Sequence, residues 1–481
     1  MLTAITNSWA LLLGVAFLML GNGLQSTVLG VRASMEGFST EATGVVMTCY
    51  FVGYLVGSFV TPKALSRVGH VRVFAALASL SSASALLHAV FIDPYAWAAM
   101  RLITGFCFAG LYIVAESWLN DSATNETRGQ LLSIYMIVLY GCVALGQLMI
   151  NISDPGSFTP FVLMSVVVSL ALVPTALTAA QVPAFESPSP VSLRRVYEIS
   201  PLGFVCAFGV GVAQAQIFGI GSIYGGELNM SPKDISLFMG AVSIGGVILQ
   251  FPIGKASDAF DRRIVLIVVS LLAGVVALSL NLFSGPEATP MFLISALLFG
   301  ALCMPLYSLA IAHTNDRLEA SEIVAATSAL IVIGGVGAVI GPITSSFLIG
   351  EFGPNSYVYS LSLTLLMIGF FGVYRMTVRE SVPIADQGDY IGVPLESSTM
   401  VVTMTPEGEE WYEEVIAEAE AEAEAEAEHA YVQAHPELGL VESEAATASE
   451  HHEMLEDGPG FWEDENEETT EPEDPKKSES H

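Results

Sequence analysis

Residues 254–263 read Gly-Lys-Ala-Ser-Asp-Ala-Phe-Asp-Arg-Arg, and they separate two long apolar runs at about 233–257 and 263–284. A helix of about 20 apolar residues is long enough to cross the hydrocarbon core of a bilayer. Because so few residues lie between the two runs, the helices must run antiparallel. This stretch therefore predicts two membrane-spanning helices joined by a short, charged turn.

The same pattern occurs earlier in the chain, where the turn Ser66–Arg72 aligns with Asp258–Arg263 at an offset of 192 residues. Other matches keep the same order at offsets of 192 and 195 residues: Asn22 with Gln214, Gly53 with Gly245, and Arg101-Leu-Ile-Thr-Gly105 with Ala296-Leu-Leu-Phe-Gly300. One match of this kind is weak, but an ordered series indicates an internal duplication. Parallel repeats of six helices are typical of transporters whose substrate site lies between the repeats.

Twelve apolar runs are long enough to cross a bilayer. They lie at about 9–31, 42–62, 71–91, 95–119, 129–151, 157–180, 201–224, 233–257, 263–284, 289–312, 322–349 and 355–376. Their lengths and their lack of alternating polarity favour helices over barrel strands. We therefore predict an all-α polytopic membrane protein with twelve transmembrane helices as two six-helix repeats. The expected bounds are 1–181 for the first half, 182–199 for a cytoplasmic linker, 200–376 for the second half and 377–481 for a tail.

Composition separates an apolar body from an acidic tail. The chain is 52% hydrophobic and 14% charged, with a mean hydropathy of +0.58. Residues 377–481 hold 31 of the 49 acidic residues and 3 of the 17 basic ones. Low hydrophobicity with high net charge favours disorder, so we expect a disordered tail. The body lacks clustered Lys and Arg, which excludes nucleic acid as a partner.

The predicted spans lack the residue patterns that an enzyme or a metal site would need. No His, Asp and Glu cluster with catalytic spacing occurs in them, and no Walker A pattern indicates ATP as the energy source. The five cysteines all fall inside predicted helices and form no CxxC pair. We therefore expect no enzyme activity, no cofactor and no metal.

The basic residues predict the orientation of the chain. If the N-terminus is cytoplasmic, twelve of them lie at the cytoplasmic ends of the spans, and only Arg32 and Lys233 lie outside. The twelve are Lys63, Arg67, Arg72, Arg128, Arg194, Arg195, Lys255, Arg262, Arg263, Arg317, Arg375 and Arg379. Because cytoplasmic loops carry the excess of Lys and Arg, we predict a multi-pass protein of the cell (inner) membrane with both termini in the cytoplasm.

The charged turns resemble a signature of the major facilitator superfamily, and the resemblance covers residues 1–376. The superfamily's loop between helices 2 and 3 reads Gly-x-Leu-Ala-Asp-Arg-x-Gly-Arg-Lys. Here the first half keeps Arg67, Gly69 and a late cation at Arg72, but it has Ser66 in place of the Asp and Pro62 in place of the first Gly. The second half keeps more of the pattern: Gly254, Asp258, Arg262 and Arg263.

The fourth span carries a second resemblance. Arg101 and Gly105 match the superfamily's Arg-x-x-x-Gly motif in helix 4, and Glu116-Ser-Trp118 follows in the same span. Together these residues resemble an uncharacterised bacterial branch of the superfamily called YcaD-like.

The resemblance implies a solute cavity lined by helices 1, 4, 7 and 10. Polar groups that face hydrocarbon are costly and turn inward, so the polar residues of these helices are the candidates for substrate contact: Asn22, Gln25, Arg101, Gln214, Gln216 and Tyr307. Arg101 is the strongest, because a buried arginine needs a partner, either an anionic or polar substrate or a proton-binding carboxylate. The alternative for each amide is a hydrogen bond between helices without a ligand, and the alternative for Arg101 is a structural role as a centre of hydrogen bonds.

The resemblance also implies that the charged turns form an inner latch that holds the outward-open state. The residues involved would be Arg67, Gly69, Arg72, Gly254, Asp258, Arg262 and Arg263. We expect the two glycines to permit close helix approach and Asp258 to pair with a nearby arginine. Because Ser66 cannot ionise, the latch of the first half should be weaker. Alternatively, these cations only fix topology.

Glu116 is the one carboxylate well inside a predicted span. Partial burial would raise its pKa toward neutrality and suit it to carry protons. We expect instead a gate bond to a cytoplasmic cation such as Arg67, Arg72 or Arg128, and proton transfer is the alternative.

These observations predict a secondary transporter that moves a small organic solute by alternating access. By resemblance, proton-coupled efflux leads and metabolite uptake comes second. A non-transporting sensor or scaffold that signals through the acidic tail is the alternative from another class.

Overall fold

The structure, a computed structural model, describes residues 2–121, 128–177 and 192–398. The described helices of the first half are α1 (Leu2–Met35), α2 (Thr40–Val68), α3 (His70–Val90), α4 (Pro94–Asp121), α5 (Arg128–Leu148), α6 (Thr159–Leu170) and α7 (Leu172–Leu177). Most of the predicted linker and the tail from residue 399 onward, including a run of alternating Glu and Ala at 418–428, lie outside the described residues.

The second half repeats this arrangement after a short linker helix. The linker helix is α8 (Leu193–Ile199). The helices of the second half are α9 (Pro201–Glu227), α10 (Pro232–Ala259), α11 (Arg262–Leu282), α12 (Pro290–Cys303), α13 (Pro305–Asn315), α14 (Ala320–Phe352) and α15 (Asn355–Met376). Eleven stretches of the described chain are long and apolar enough to cross a membrane, one of them formed by α12 and α13 together. The predicted sixth span is the shorter apolar stretch Thr159–Thr175.

Two helix crossings show the duplication in three dimensions. In the first half α2 crosses α4 so closely that a Cβ at Gly53 would meet the carbonyl oxygen of Leu102, and a Cβ at Gly105 would meet that of Tyr50. In the second half, Gly245 stands in the same relation to Leu297, and Gly300 to Val242. The paired positions are separated by the offsets of 192 and 195 residues, so the duplicated glycines mark one crossing built twice.

The two halves contact each other directly at the end of the bundle where α1 ends and α2 begins. Thr40 Oγ1 donates to Glu227 Oε1 at 2.7 Å, and Asn151 Nδ2 donates to Ser236 Oγ at 2.8 Å. Deeper in the bundle, Ser243 Oγ donates to Gln147 Oε1 at 3.0 Å. We call this the closed end, and we call the other, which carries the turns after α2 and α10, the basic end.

Residues 387–398 lie between the two halves at the basic end. The chain leaves α15 at Met376, passes a single 3-10 turn at Ile384–Asp386, and then enters the bundle. Val393 and Ser397 are each only 1% exposed. These residues, called the inserted segment below, belong to the predicted tail by sequence, yet they pack inside the body.

Candidate functional site

A cavity lies between the halves, toward the middle of the bundle. Its walls come from four helices of the first half, from α9 of the second half, and from the inserted segment. The lining residues are Asn22, Ser26, Tyr50, Phe51, Arg101, Tyr112, Leu139, Tyr140, Val143, Gln214, Ala215, Phe218, Pro394, Leu395 and Glu396. The open volume is about 60 Å³. This is space for a few water molecules, since one water molecule needs roughly 10–15 Å³ of such volume.

Arg101 is the charged group of the first-half wall. Its side chain is 3% exposed, and its guanidinium carbon lies 4.3 Å from the centre of the Tyr50 ring. Neither Nε nor Nη1 has a hydrogen-bond partner within the described part of the chain. Buried N–H groups without acceptors are costly, so the site presents donors that a ligand bearing acceptor atoms would satisfy.

The structure brings together three of the six predicted cavity residues: Asn22, Arg101 and Gln214. Gln214 adds a further donor, because its Nε2 also lacks a partner among the described residues. This constellation of a cation and amide groups suits an anionic or acceptor-rich solute.

The other three predicted residues are buried elsewhere. Gln216 donates from Nε2 to Ser360 Oγ on α15 at 3.0 Å, so it fits the alternative of a hydrogen bond between helices. Tyr307 is fully buried beside Gly334, and Gln25 is 3% exposed but is not part of the cavity wall.

The sequence did not point to the aromatic walls formed by Tyr50, Tyr112 and Tyr140. Apolar spans contain many aromatic residues, and periodicity does not separate a cavity-facing ring from a core ring. The available sequence signal for a cavity-facing ring was a Tyr about three helical turns from a polar candidate on the same helix, as Tyr112 is from Arg101.

Glu116 lies on α4, is 0% exposed, and is bound to neutral donors. Tyr135 Oη donates to its Oε1 at 2.7 Å, while the backbone N–H and the hydroxyl of Ser398 donate to Oε2 at 2.6 and 2.5 Å. Arg67 and Arg72 are exposed on the surface instead, and the side chain of Arg128 is not among the described ones. The carboxylate therefore contacts the inserted segment where a gate bond to these cations was expected.

The predicted pair of Asp258 with Arg262 is present, within a larger cluster. Arg262 is 1% exposed and pairs with Asp258 at 2.9 Å and with Asp316 at 2.5 Å. It also donates to the carbonyl oxygens of Ala312 and Gly388. Burial raises the pKa of Asp316 to about 6, although Arg262 acts in the opposite direction. These contacts stay within the second half and the inserted segment.

Arg263 makes a separate set of contacts. It pairs with Asp261 at 3.2 Å and donates to the carbonyl oxygen of Arg379 at 2.6 Å. Arg379 in turn donates to the carbonyl oxygen of Ile199 at the end of α8. The two arginines connect the start of α11 to the chain that follows α15 and to the linker helix.

The two signature glycines have roles other than the expected close approach of helices. Gly69 is the single residue between α2 and α3 and has a φ of +88°, and no atom lies within 4 Å of where its Cβ would be. It is therefore glycine because of its backbone conformation. A Cβ at Gly254 would collide with the ring of Tyr390, so this glycine makes room for the inserted segment.

The sequence model of the Major Facilitator Superfamily matches residues 11–224 and 199–397. The chain belongs to this superfamily. Membership agrees with the all-helical fold and the cavity between two related halves, and it makes the protein a polytopic membrane transporter by family.

Individual relatives agree with that assignment. This superfamily chain is 28% identical over 368 residues to the uncharacterised MFS-type transporter YcaD of Escherichia coli K12, covering 73% of this chain and 94% of the relative. Among solved structures, its fold is similar to that of the nucleoside transporter NupG, with a TM-score of 0.61, 14% identity, and coverage of 77% and 98% of the two chains. It is also similar to a bacterial homologue of the human lysosomal transporter Spinster, with a TM-score of 0.58, 13% identity, and coverage of 77% and 95%.

Proposed function

We propose that this chain is a secondary active transporter that moves a small organic anion, or a solute rich in hydrogen-bond acceptors, by alternating access. The observation that carries the proposal is Arg101, a buried cation in the wall of a cavity between the halves, whose Nε and Nη1 have no hydrogen-bond partner among the described residues. An arginine inside a membrane-spanning helix is costly unless it has a partner. A solute carboxylate would supply the missing acceptors.

The basic end of the bundle faces the cytoplasm in this proposal, with both termini inside and the protein in the cell membrane. The support is the uneven distribution of Lys and Arg between the two ends. Contact between the halves at the opposite end then corresponds to a state closed toward the outside.

We propose proton-coupled export as the mode of transport, as the superfamily resemblance implies. Glu116 is the proposed proton carrier, because it is a fully buried carboxylate of the first half whose partners are a tyrosine and a serine. Such partners can donate to the ionised form without neutralising its charge, so protonation can change with conformation.

Thermal unfolding of the purified full chain tests solute binding. The probes are benzoate, succinate, uridine and the cation tetraphenylphosphonium, each at pH 6 and pH 8. A probe present at 100 times its dissociation constant stabilises a protein by about 2.7 kcal/mol. We expect an anion to stabilise the protein and Arg101→Ala to abolish the effect.

Arg32→Ala is the matched control, because Arg32 pairs with Glu36 near the end of α1 and is not part of the cavity wall. Stabilisation by the organic cation alone, or an unchanged shift in Arg101→Ala, would refute the proposed solute class.

Everted membrane vesicles test direction and coupling. With an interior made acidic, radiolabelled benzoate or the stabilising probe should accumulate inside, and Glu116→Gln should remove the dependence on the proton gradient. Accumulation only in right-side-out vesicles would show uptake instead of export.

A further inference from the structure

The inserted segment bridges the two halves of the transporter. On the side of the second half, Gly388 N and Tyr390 N donate to Asp316 and Asp258 at 3.2 and 2.9 Å. On the side of the first half, the hydroxyl of Tyr54 donates to the carbonyl oxygen of Glu396. The inserted segment therefore contacts both halves, and these halves must move relative to each other in alternating access.

The tip of the inserted segment forms one wall of the cavity that contains Arg101. Ser397 N donates to the carbonyl oxygen of Pro394 at 3.2 Å, which makes a tight turn at Pro394–Ser397. Leu395 and the carboxylate of Glu396 lie at this turn and line the cavity, and Tyr112 Oη donates to Glu396 Oε2 at 3.2 Å. The segment thus places an apolar side chain and an anion where the proposed solute would sit.

Residues of the second half contact the inserted segment at several separate points. Ser308 Oγ accepts from Val393 N at 2.9 Å and donates to Val393 O at 3.0 Å, so one hydroxyl satisfies both backbone groups of that residue. Gln250 Nε2 donates to Tyr390 Oη at 2.9 Å, and the absence of a side chain at Gly254 leaves room for the same ring.

The far end of the segment is bound as well, through Ser398 and the buried carboxylate of Glu116. Buried polar groups need hydrogen-bond partners. Here Ser398, which follows the second half in the chain, supplies such partners to Glu116 of the first half. A surface loop that merely rested on the bundle would not require paired groups at both ends.

We propose that the space between the halves at the basic end is a peptide-binding site, and that its occupant is residues 388–398 of the same chain, Gly-Asp-Tyr-Ile-Gly-Val-Pro-Leu-Glu-Ser-Ser. Occupancy excludes the solute from the wall that carries Arg101 and holds the two halves at a fixed separation. The segment is therefore an internal inhibitor that competes with the solute, a role that rests on the proposed transport function. Solute entry from the basic end requires the segment to leave.

The experiment measures access to the cavity and needs no solute. In the full chain with its five native cysteines replaced by alanine, Ser26→Cys places a thiol in the cavity wall, and a polar maleimide reports how fast it can be reached. We expect Leu395→Asp to raise the labelling rate about tenfold or more, because the Leu395 side chain is 7% exposed and packs against Gly334 of α14, where a carboxylate is strongly disfavoured.

Ile384→Asp is the matched control, because it adds the same charge to the same stretch of chain at a side chain that is 53% exposed. It should label at the rate of the parent. Equal labelling of the parent and Leu395→Asp would overturn the proposal.

Addition of the synthetic peptide distinguishes release of the segment from damage to the fold. A tethered segment acts at an effective concentration of about millimolar, so the peptide at that concentration should slow the labelling of Leu395→Asp, and a scrambled peptide should not. Fast labelling that the peptide does not slow would overturn the proposed binding site.

The outcome also separates this inference from the proposed function. If access and peptide protection behave as expected while no probe is bound or transported by Leu395→Asp, the peptide site stands and the transport proposal fails. If the parent and Leu395→Asp transport a probe equally and label equally, transport stands and the inhibitory segment fails.

Discussion

The two turns that the sequence relates at an offset of 192 residues differ in what surrounds their charged groups. In the first half, Arg67 and Arg72 are exposed, and Ser66 donates to the carbonyl oxygen of Lys63 at 3.2 Å. In the second half, Arg262 is buried and lies between two carboxylates. One turn is a solvated connection, and the other is the centre of a charge cluster.

This difference shows how one substitution changes the role of a motif. The superfamily pattern has an Asp where the first half has Ser66, and the second half keeps that acid as Asp258. With Asp258 and Asp316 nearby, the Arg262 side chain can be buried, since a buried charge needs paired partners. The cluster then offers the exposed Asp258 and the buried side chain of Asp316 to the inserted segment, which binds to the second turn and not to the first.

Among substitutions at the two turns, removal of Arg262 should have the largest effect on the free energy of unfolding. Arg262→Ala leaves the carboxylate of Asp316 buried without its cation, and breaking a buried pair in this way costs about 3–5 kcal/mol. Arg67→Ala in the first turn should change stability by no more than about 0.5 kcal/mol. Chemical unfolding of the two purified variants at pH 8 measures both, and similar losses would show that the turns do not differ as described.

The pH dependence of stability should come next. The pKa of Asp316 is about 6 in the folded protein and about 3.9 when unfolded. The folded state therefore binds the proton more tightly than the unfolded state does. This contribution to the free energy of unfolding is fully present below the unfolded pKa of about 3.9 and is lost as the pH rises through the folded pKa of about 6. The loss is about 3 kcal/mol at most.

Asp316→Asn should remove this fall between pH 4 and pH 6, as measured by unfolding midpoints. Glu351→Gln, which changes an exposed carboxylate on α14, is the control and should leave the pH profile unchanged. A profile of Asp316→Asn that matches the parent would assign the dependence to other groups.

The smallest effect should come from restoring the acid in the first turn. Ser66→Asp adds a carboxylate near exposed cations, and exposed ion pairs contribute about 0.2–1 kcal/mol. We expect a small gain at low salt that disappears at high salt. A gain of several kcal/mol would mean that the missing acid alone explains why the first turn lacks the charge cluster of the second.

Much of the fold could be predicted from local properties of the sequence. The lengths of the apolar runs locate the spans, and the order of Gly53, Gly105, Gly245 and Gly300 reveals the duplication that the helix crossings display. These features depend on residues that are neighbours in sequence or that repeat at a fixed offset, so a single chain contains the information.

The site was predictable only in part. An arginine inside an apolar span is unusual because its burial is costly, so the sequence singles out Arg101, and Arg101 lines the cavity. Gln214 and Gln216 are two residues apart and look equivalent in sequence, yet a helix turns about 100° per residue and directs one to the cavity and the other to Ser360.

The sequence by itself determined the class of protein, the repeated halves and the concentration of basic charge at one end, because hydrophobicity and charge act on each span separately. The tertiary structure alone decided that residues 387–398 leave the acidic tail and enter the space between the halves. That decision depends on groups distant in the chain, among them Ser308, Asp258 and Glu116, which become acceptors and donors at the right spacing only after the helices of the body have packed.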